Sequence, residues 1–348
     1  MPHLNPQTLQ VAAVVAFYMA AALIMVFVNK AVLNSSPDLP LLFLLIQLLI
    51  AVVLLHASSR VYKTIRIPKF DAEVAKKLVP VVSVNIIGLV FNTLCLRDVE
   101  ASFFQIARGL VLPLTIAVSS VHTRSIPSRL VLTAAFIVTV GFMLGVAPSS
   151  SLPITATPSN LSLFYGVLSS LFIAFHAVLI KSSLPHCNNS TIELAWWTNV
   201  GSAIMILPFV ILLGEPWKLY GLSNTPEWNW SMFLWGSLVT GLFGFLLCVA
   251  GLLSIKVTSP ITHMFSSAAR SVLQTALGVS IFGDILTTNR AGSISVILGG
   301  TMFYTWIKSV EAAAPKPPSP PIRSGPDVEM GNQSSSQASP LWQMDEKK

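Results

Sequence analysis

The chain of 348 residues is 53% hydrophobic and only 10% charged, with a mean hydropathy of +0.72, a composition that excludes an ordinary soluble domain and marks an integral membrane protein. Its formal net charge of +7 does not indicate a nucleic-acid partner, because the basic residues are scattered through loops between apolar runs. The three cysteines, Cys95, Cys187 and Cys248, have the spacing of neither a disulfide framework nor a zinc site, so no metal and no cofactor is expected.

Ten apolar stretches are about 20 residues long, the length that crosses a hydrocarbon core of about 30 Å. They lie near residues 8 to 29, 39 to 57, 76 to 96, 101 to 121, 129 to 146, 161 to 181, 191 to 213, 230 to 251, 259 to 282 and 291 to 308. The first lacks a basic leader, exceeds the length of a signal core and runs directly into Asn29 and Lys30, so it is expected to remain as an anchor. From residue 311 the chain turns to Pro, Ser, Gly and Gln, which predicts a disordered tail over 311–348 behind one transporter domain over 1–310.

Basic residues orient the spans. With ten crossings and both termini in the cytosol, the inner side holds Arg60, Lys63, Arg66, Lys69, Lys76, Lys77, Arg124, Arg129, Lys181, Lys256 and Lys308, and the outer side only Lys30, Arg97, Lys218 and Arg290. Positive charge favours the cytosolic side, so this asymmetry predicts cytosolic termini.

Two arginines interrupt otherwise lipid-compatible stretches. Arg108 and Arg270 each follow an alanine, Ala107 and Ala269, at matching points of the two halves of the chain. A guanidinium at bilayer depth is costly unless it meets a counter-charge or a watery cavity, so both imply an anionic cargo or a buried partner. The alignment divides the chain into repeats of about 8–146 and 161–308. Five spans per half is an odd number, so the halves insert with opposite topology, as in many secondary transporters with a site near the midplane. The expected fold is therefore an all-α integral membrane protein of ten transmembrane helices in two inverted five-helix repeats, embedded in the lipid bilayer.

The run Thr258-Ser259-Pro260-Ile261-Thr262-His263, followed by Ala268-Ala269-Arg270 and Gln274-Thr275-Ala276-Leu277, resembles the ninth span of Golgi GDP-fucose transporters, within the drug/metabolite transporter superfamily. Val26-Phe27-Val28-Asn29-Lys30 resembles the end of that family's first span, and Phe91-Asn92-Thr93-Leu94-Cys95-Leu96 with Ala107-Arg108 its third and fourth. The resemblance implies a Golgi antiporter that exchanges a cytosolic nucleotide sugar, GDP-fucose foremost, for the lumenal nucleoside monophosphate GMP by alternating access. Other nucleotide sugars, such as GDP-mannose or a UDP-sugar, and phosphorylated metabolites such as triose phosphate are the alternative cargo. No enzymatic activity is expected, because His-Glu-x-x-His, Gly-x-Ser-x-Gly and Cys-x-x-Cys signatures are all missing from the sequence.

The family offers a lysine to the phosphates from its ninth span, and here Arg270 takes that place. A guanidinium keeps its charge and donates paired hydrogen bonds to phosphate oxygens. Ser266 and Ser267 would add donors. The family's seventh-span Phe-Tyr-Asn-Asn motif is replaced by Trp196-Trp197-Thr198-Asn199, which makes Trp197, Thr198 and Asn199 candidates for base contact while weakening the expectation of guanine. Each assignment has a structural alternative: a salt bridge to Glu193 for Arg270, and an interfacial aromatic belt for the tryptophans. Arg108 is either a second cation of the cavity or a gating and helix-locking residue, with Gln105, Asp98 and Glu100 as its nearest partners in sequence. Asn29 and Lys30 are either gate residues or interfacial anchors. Gly141 and Gly145, with Gly299 and Gly300, suit close helix packing or a homodimer seam.

Overall fold

The structure is a computed structural model that describes residues 6–62, 66–147, 158–226, 228–257 and 260–313, without the side chains of residues 6–12, 248–268 and 312–313. It is built of helices: α1 (Pro6–Ser35), α2 (Pro40–Val61), α3 (Ala72–Asp98), α4 (Ala101–Ala107), α5 (Val111–Thr123), α6 (Arg129–Val146), α7 (Asn160–Ser183), α8 (Thr191–Leu212), α9 (Glu215–Ser223), α10 (Trp230–Val257), α11 (Pro260–Leu277) and α12 (Thr288–Ala313). No strand occurs among the described residues. Eight helices there are long and apolar enough to cross a membrane, from Ala13–Ser35 to Trp230–Leu247. The stretches expected as the ninth and tenth spans are helical, as α11 extended by a π turn over Gly278–Phe282 and as α12, but neither is among these eight. The predicted tail from residue 314 onward lies outside the described residues.

Local chemistry sets the helix starts. Asp71 Oδ1 accepts from Glu73 N at 2.8 Å to begin α3, and Ser159 Oγ accepts from Ser162 N at 3.1 Å to begin α7. Ser128 and Ser190 do the same for α6 and α8. Helix α2 begins behind Leu39, which has no capping group. Its orphan donors are instead met by a carboxylate from far along the chain: Leu41 N and Leu42 N donate to Glu215 Oε1 and Oε2 at 3.2 and 2.6 Å. Glu215 is 2% exposed, so the short helix α9 acts as a remote cap for α2. Burial pushes the Glu215 carboxyl above its ordinary pKa, although the two N–H donors and nearby Lys218 oppose this.

The most extensive packing follows a pattern. Helix α1 packs on α10 as α3 packs on α7, and α2 packs on α10 as α3 packs on α8, while α6 meets α12, α2 meets α8 and α4 meets α11. Exchanging α1 with α7, α2 with α8, α3 with α10, the α4–α5 rod with α11, and α6 with α12 maps these contacts onto one another. The seam between α6 and α12 is where the glycines act. A Cβ on Gly145 would stand 2.4 Å from Ser293 Oγ, and one on Gly300 would stand 2.7 Å from Val138 Cγ2, so both backbones approach too closely for a side chain. The Gly-x-x-x-Gly spacing is thus filled by the chain's own last helix, and Gly299 faces open space.

These observations set two tests by unfolding of purified protein in detergent. Gly145→Leu should destabilise the fold by about 1–3 kcal/mol or more through overpacking, whereas Gly299→Ala should be neutral or slightly stabilising; equal effects would contradict the assigned seam. Glu215→Ala should cost roughly 2 kcal/mol by orphaning two donors at the start of α2. A raised carboxyl pKa means that the folded state holds this proton more tightly than the unfolded state. Glu215 therefore contributes most to stability at acid pH and progressively less as pH rises through its folded pKa, a slope that Glu215→Gln should remove.

Candidate functional site

The rod formed by α4 and α5 breaks at Arg108. Pro113 lacks an N–H and its ring would crowd the carbonyl four residues back, so Arg108–Leu110 tightens into a 3₁₀ turn before α5 begins. Gly109 fits there because a Cβ would meet Ile297 Cδ1 at 2.7 Å. The Ala107 carbonyl, near the break, accepts a hydrogen bond from Ser170 Oγ at 2.9 Å.

Arg108 is half-buried. Its guanidinium carbon lies 5.7 Å from the Phe104 ring centroid, and it sits within Coulombic reach of Arg270 and Tyr18. None of its expected sequence neighbours binds it: Glu100 pairs with Arg290, Asp98 with Arg97, and Gln105 Nε2 donates to Ser271 Oγ at 2.8 Å. Arg270, also half-buried, stands in the middle of α11. Glu193, its expected structural partner, accepts instead from Asn188 Nδ2 at 3.2 Å.

Two glutamines pin the helices that present these cations. Gln105 of α4 reaches Ser271 of α11, and Gln274 of α11 donates to the Ala101 carbonyl of α4 at 3.1 Å. Both Ser271 and Gln274 are buried. The structure therefore brings Arg108 and Arg270 toward one interior region, while the side chains of Ser266 and Ser267 lie outside the described residues.

A cavity of about 180 Å³ is walled by α1, α2, α3, α8 and α10 through residues such as Met25, Leu89, Phe245, Gln47, Asn199 and Thr240. Gln47 Nε2 donates to Asn29 Oδ1 at 2.8 Å and to Thr240 Oγ1 at 2.9 Å, joining α1, α2 and α10. Asn199 lines the cavity with one amide hydrogen given to the Ala195 carbonyl at 2.7 Å. The other residues of the tetrapeptide turn elsewhere. Thr198 Oγ1 donates into its own helix, at 3.0 Å to Leu194 O, and Trp196 and Trp197 pack edge-to-face at 5.0 Å in a core with Leu55, Leu78 and Val82. Phe70 covers Trp197 at 5.6 Å between centroids.

One end of the bundle is fastened by ions. Lys30 Nζ donates to the Leu96 and Arg97 carbonyls, both at 3.0 Å, capping α3 with α1 and placing the ammonium in the field of Asp98, Glu100 and Asp284. Arg290 is 2% exposed, pairs with Glu100, donates to the Ile285 carbonyl at 2.7 Å and lies 5.3 Å from the Phe103 ring. Asp284 Oδ2 accepts from Ser102 N at 2.8 Å. Asn29 and Lys30 thus separate, one held by Gln47 of the cavity wall and the other drawn into this clasp. Sequence reasoning treated Arg290 only as a loop charge and did not consider Gln47; Arg290 carried a signal in the nearby acid Asp284, and Gln47 in being a polar residue inside the apolar run 41–55.

A bundle of apolar helices that holds two half-buried arginines and encloses a cavity lined by Gln47, Asn199 and Thr240 defines a polytopic membrane protein. The chain belongs to the Triose-phosphate Transporter family, which it matches over residues 9–305. It is 30% identical over 319 residues to GDP-fucose transporter 1 of Mus musculus, covering 88% of this chain and 85% of that one. It is 29% identical over 302 residues to GDP-fucose transporter 1 of Dictyostelium discoideum, covering 85% and 80%. Similarity to the Golgi GDP-fucose transporter of Drosophila melanogaster is 28% over 314 residues. A crystal structure of a protein 13% identical superimposes with a TM-score of 0.55 over 85% of this chain and 99% of that one, a likeness of fold alone.

The ion clasp makes its own test. Arg290→Met should destabilise the protein by about 1–3 kcal/mol because Glu100, 24% exposed, and the Ile285 carbonyl both lose a donor, and adding Glu100→Gln should restore part of that loss. Strictly additive losses in the double variant would show that the pair is not coupled.

Proposed function

We propose that this chain is a Golgi antiporter that carries a GDP-sugar, foremost GDP-fucose, into the lumen in exchange for GMP. The observation that carries this reading is the convergence of Arg108 and Arg270 on one interior region of an apolar bundle. Two cations that repel each other lower their energy when a dianion lies between them, and a diphosphate or a monophosphate supplies that charge. The relatives named as GDP-fucose transporters supply the nucleotide and the sugar.

Ten spans in two inverted repeats agree with the exchange symmetry of the helix packing. With both termini cytosolic, the Lys30 and Arg290 clasp lies at the lumenal end, and the described conformation is fastened on that side. Alternating access then requires the clasp to open while the opposite end closes around the same arginines. Arg270 is the principal phosphate ligand, with Ser266 and Ser267 beside it, and Arg108 is its pseudo-symmetric mate. Lys30 serves the lumenal clasp, and Asn29 the wall of the cavity.

A second cargo, another nucleotide sugar or a phosphorylated metabolite, is favoured by one feature. Trp197 and Thr198 stand where the motif has a tyrosine and an asparagine, and both are engaged within the protein.

The test is counter-flow in liposomes reconstituted with the full chain and preloaded with GMP, UMP, AMP or inorganic phosphate. GMP should stimulate uptake of labelled GDP-fucose, and UMP should not; stimulation by UMP or phosphate alone would favour the second cargo. Arg270→Ala should lower exchange on the order of a hundredfold by removing charge-assisted bonds to phosphate, while Arg270→Lys should retain part of it. Normal exchange by the alanine variant, with the protein folded, would remove Arg270 from the site.

A further inference from the structure

We propose that Gln47 reads the 2-amino group of a guanine base, with Asn199 engaging the neighbouring N1–H and O6. This assignment rests on the GDP-sugar reading above and states how guanine is recognised when the seventh-span motif has lost its first asparagine.

Hydrogen-bond direction decides what Gln47 presents to the cavity. Thr240 Oγ1 lies 2.8 Å from the Gly236 carbonyl one helical turn back and gives its proton there, so toward Gln47 it can only accept. That fixes the Gln47 amide with Nε2 toward Thr240, and the same nitrogen meets Asn29 Oδ1 on its other side. Both Nε2 hydrogens are therefore committed. The group that Gln47 has left to offer the cavity is its carbonyl oxygen, held in place by two helices other than its own. Asn199 gives one Nδ2 hydrogen to Ala195 O, which leaves it an acceptor and one donor side by side.

With the Thr240 hydroxyl already bonded to Gly236 and Gln47, the side-chain groups left to the cavity are an acceptor at Gln47 and a donor–acceptor pair at Asn199. Guanine presents the complement along one edge: the acceptor O6, the donor N1–H and the donor 2-amino group. Asn199 can pair with O6 and N1–H, and Gln47 Oε1 can take the amino hydrogen. Uracil sets a carbonyl where guanine has its amino group and would face Gln47 acceptor to acceptor. Adenine sets a bare ring nitrogen where guanine has N1–H.

The rest of the cavity suits a flat base. Phe245 supplies a ring for stacking and Leu89 an apolar wall. At about 180 Å³ the space is below the roughly 300–1,000 Å³ of sites that enclose whole drug-sized ligands. It therefore holds the base while the phosphates lie outside it. Helix α1 runs from the cavity toward Arg108: Met25 lines the cavity and Tyr18, whose charge acts on Arg108, lies two turns away on the same helix face. That spacing is roughly 10 Å along the helix axis, about the span from a base to its phosphates.

The experiment compares GMP, IMP and XMP, which carry an amino group, a hydrogen and a carbonyl at the position Gln47 faces. Counter-flow of GDP-fucose and nucleotide-induced thermal stabilisation are measured on the full chain. Wild-type protein should prefer GMP over IMP by about tenfold, the worth of one buried hydrogen bond, and should reject XMP more strongly because two acceptors then oppose each other. Gln47→Leu should bring GMP and IMP to equal effect and relieve the rejection of XMP. If Gln47 were merely a tie between helices, the variant would weaken all three nucleotides alike and keep their ratios, and that result would overturn the assignment. Thr240→Val, which frees the Gln47 amide to rotate, should narrow the GMP to IMP ratio with little loss of stability. Should Gln47→Leu fail to fold, the wild-type ranking decides, and equal response to GMP and XMP would refute the proposal. Wild-type exchange of GMP without preference over IMP sinks the Gln47 assignment alone. No exchange of GMP by wild-type protein sinks the GDP-sugar reading as well.

Discussion

Two guanidinium groups held near each other inside an apolar helical bundle raise each other's energy, and much of this molecule is arranged around that fact. Each loses hydration, and their mutual repulsion is stronger inside the protein than in water. The Phe104 ring under Arg108 offsets part of the cost. What keeps the groups from swinging away is the pinning of α4 to α11 by Gln105 and Gln274, each reaching across to the other helix. On the antiporter reading, an anion between the arginines sets two attractions against their repulsion.

The same helix that presents Arg108 also carries the fastened end. Ala101 and Ser102, one to two turns before Arg108, are bonded to Gln274 and Asp284, and Glu100 just ahead of them holds Arg290. On the antiporter reading, cargo and clasp therefore act on one short rod, which is interrupted just beyond the site by a 3₁₀ turn. A break of this kind lets the two halves of the rod tilt independently. That is a physical route by which anion binding at Arg108 and Arg270 can be felt at Glu100 without a long chain of intermediates.

Much of this was legible in the sequence because it depended on local pattern. Apolar runs of spanning length are properties of contiguous residues, and they marked the helices; the cations at equivalent points of two halves and the run from Thr258 to Leu277 are local in the same way and pointed to Arg270, whose role belongs to the proposal. The break at Arg108 had a local signal as well, in Gly109 and Pro113, that composition-led span counting passes over. The remaining features join residues far apart in the chain. Glu215 caps a helix that begins 174 residues earlier, counted from Leu41, and Arg290 meets Glu100 across 190. Gln47 gains its meaning only when Asn29 and Thr240 fix its amide. Spacing could not choose among the acids near Arg108, because the acids were taken by cations elsewhere in the fold. Likewise, the tryptophans of the seventh-span motif read as base contacts by analogy, and packing places them in a core with Phe70.

The central claim is that Arg108 and Arg270 form one anion site. Its most direct measurement is nucleotide-induced thermal stabilisation of the purified protein by GMP and by guanosine, which share a base and differ in the phosphate. The account predicts strong stabilisation by GMP, little by guanosine, and loss of the difference when both arginines are replaced by glutamine. Equal stabilisation by GMP and guanosine in the wild-type protein, or a difference that survives the double replacement, would contradict it.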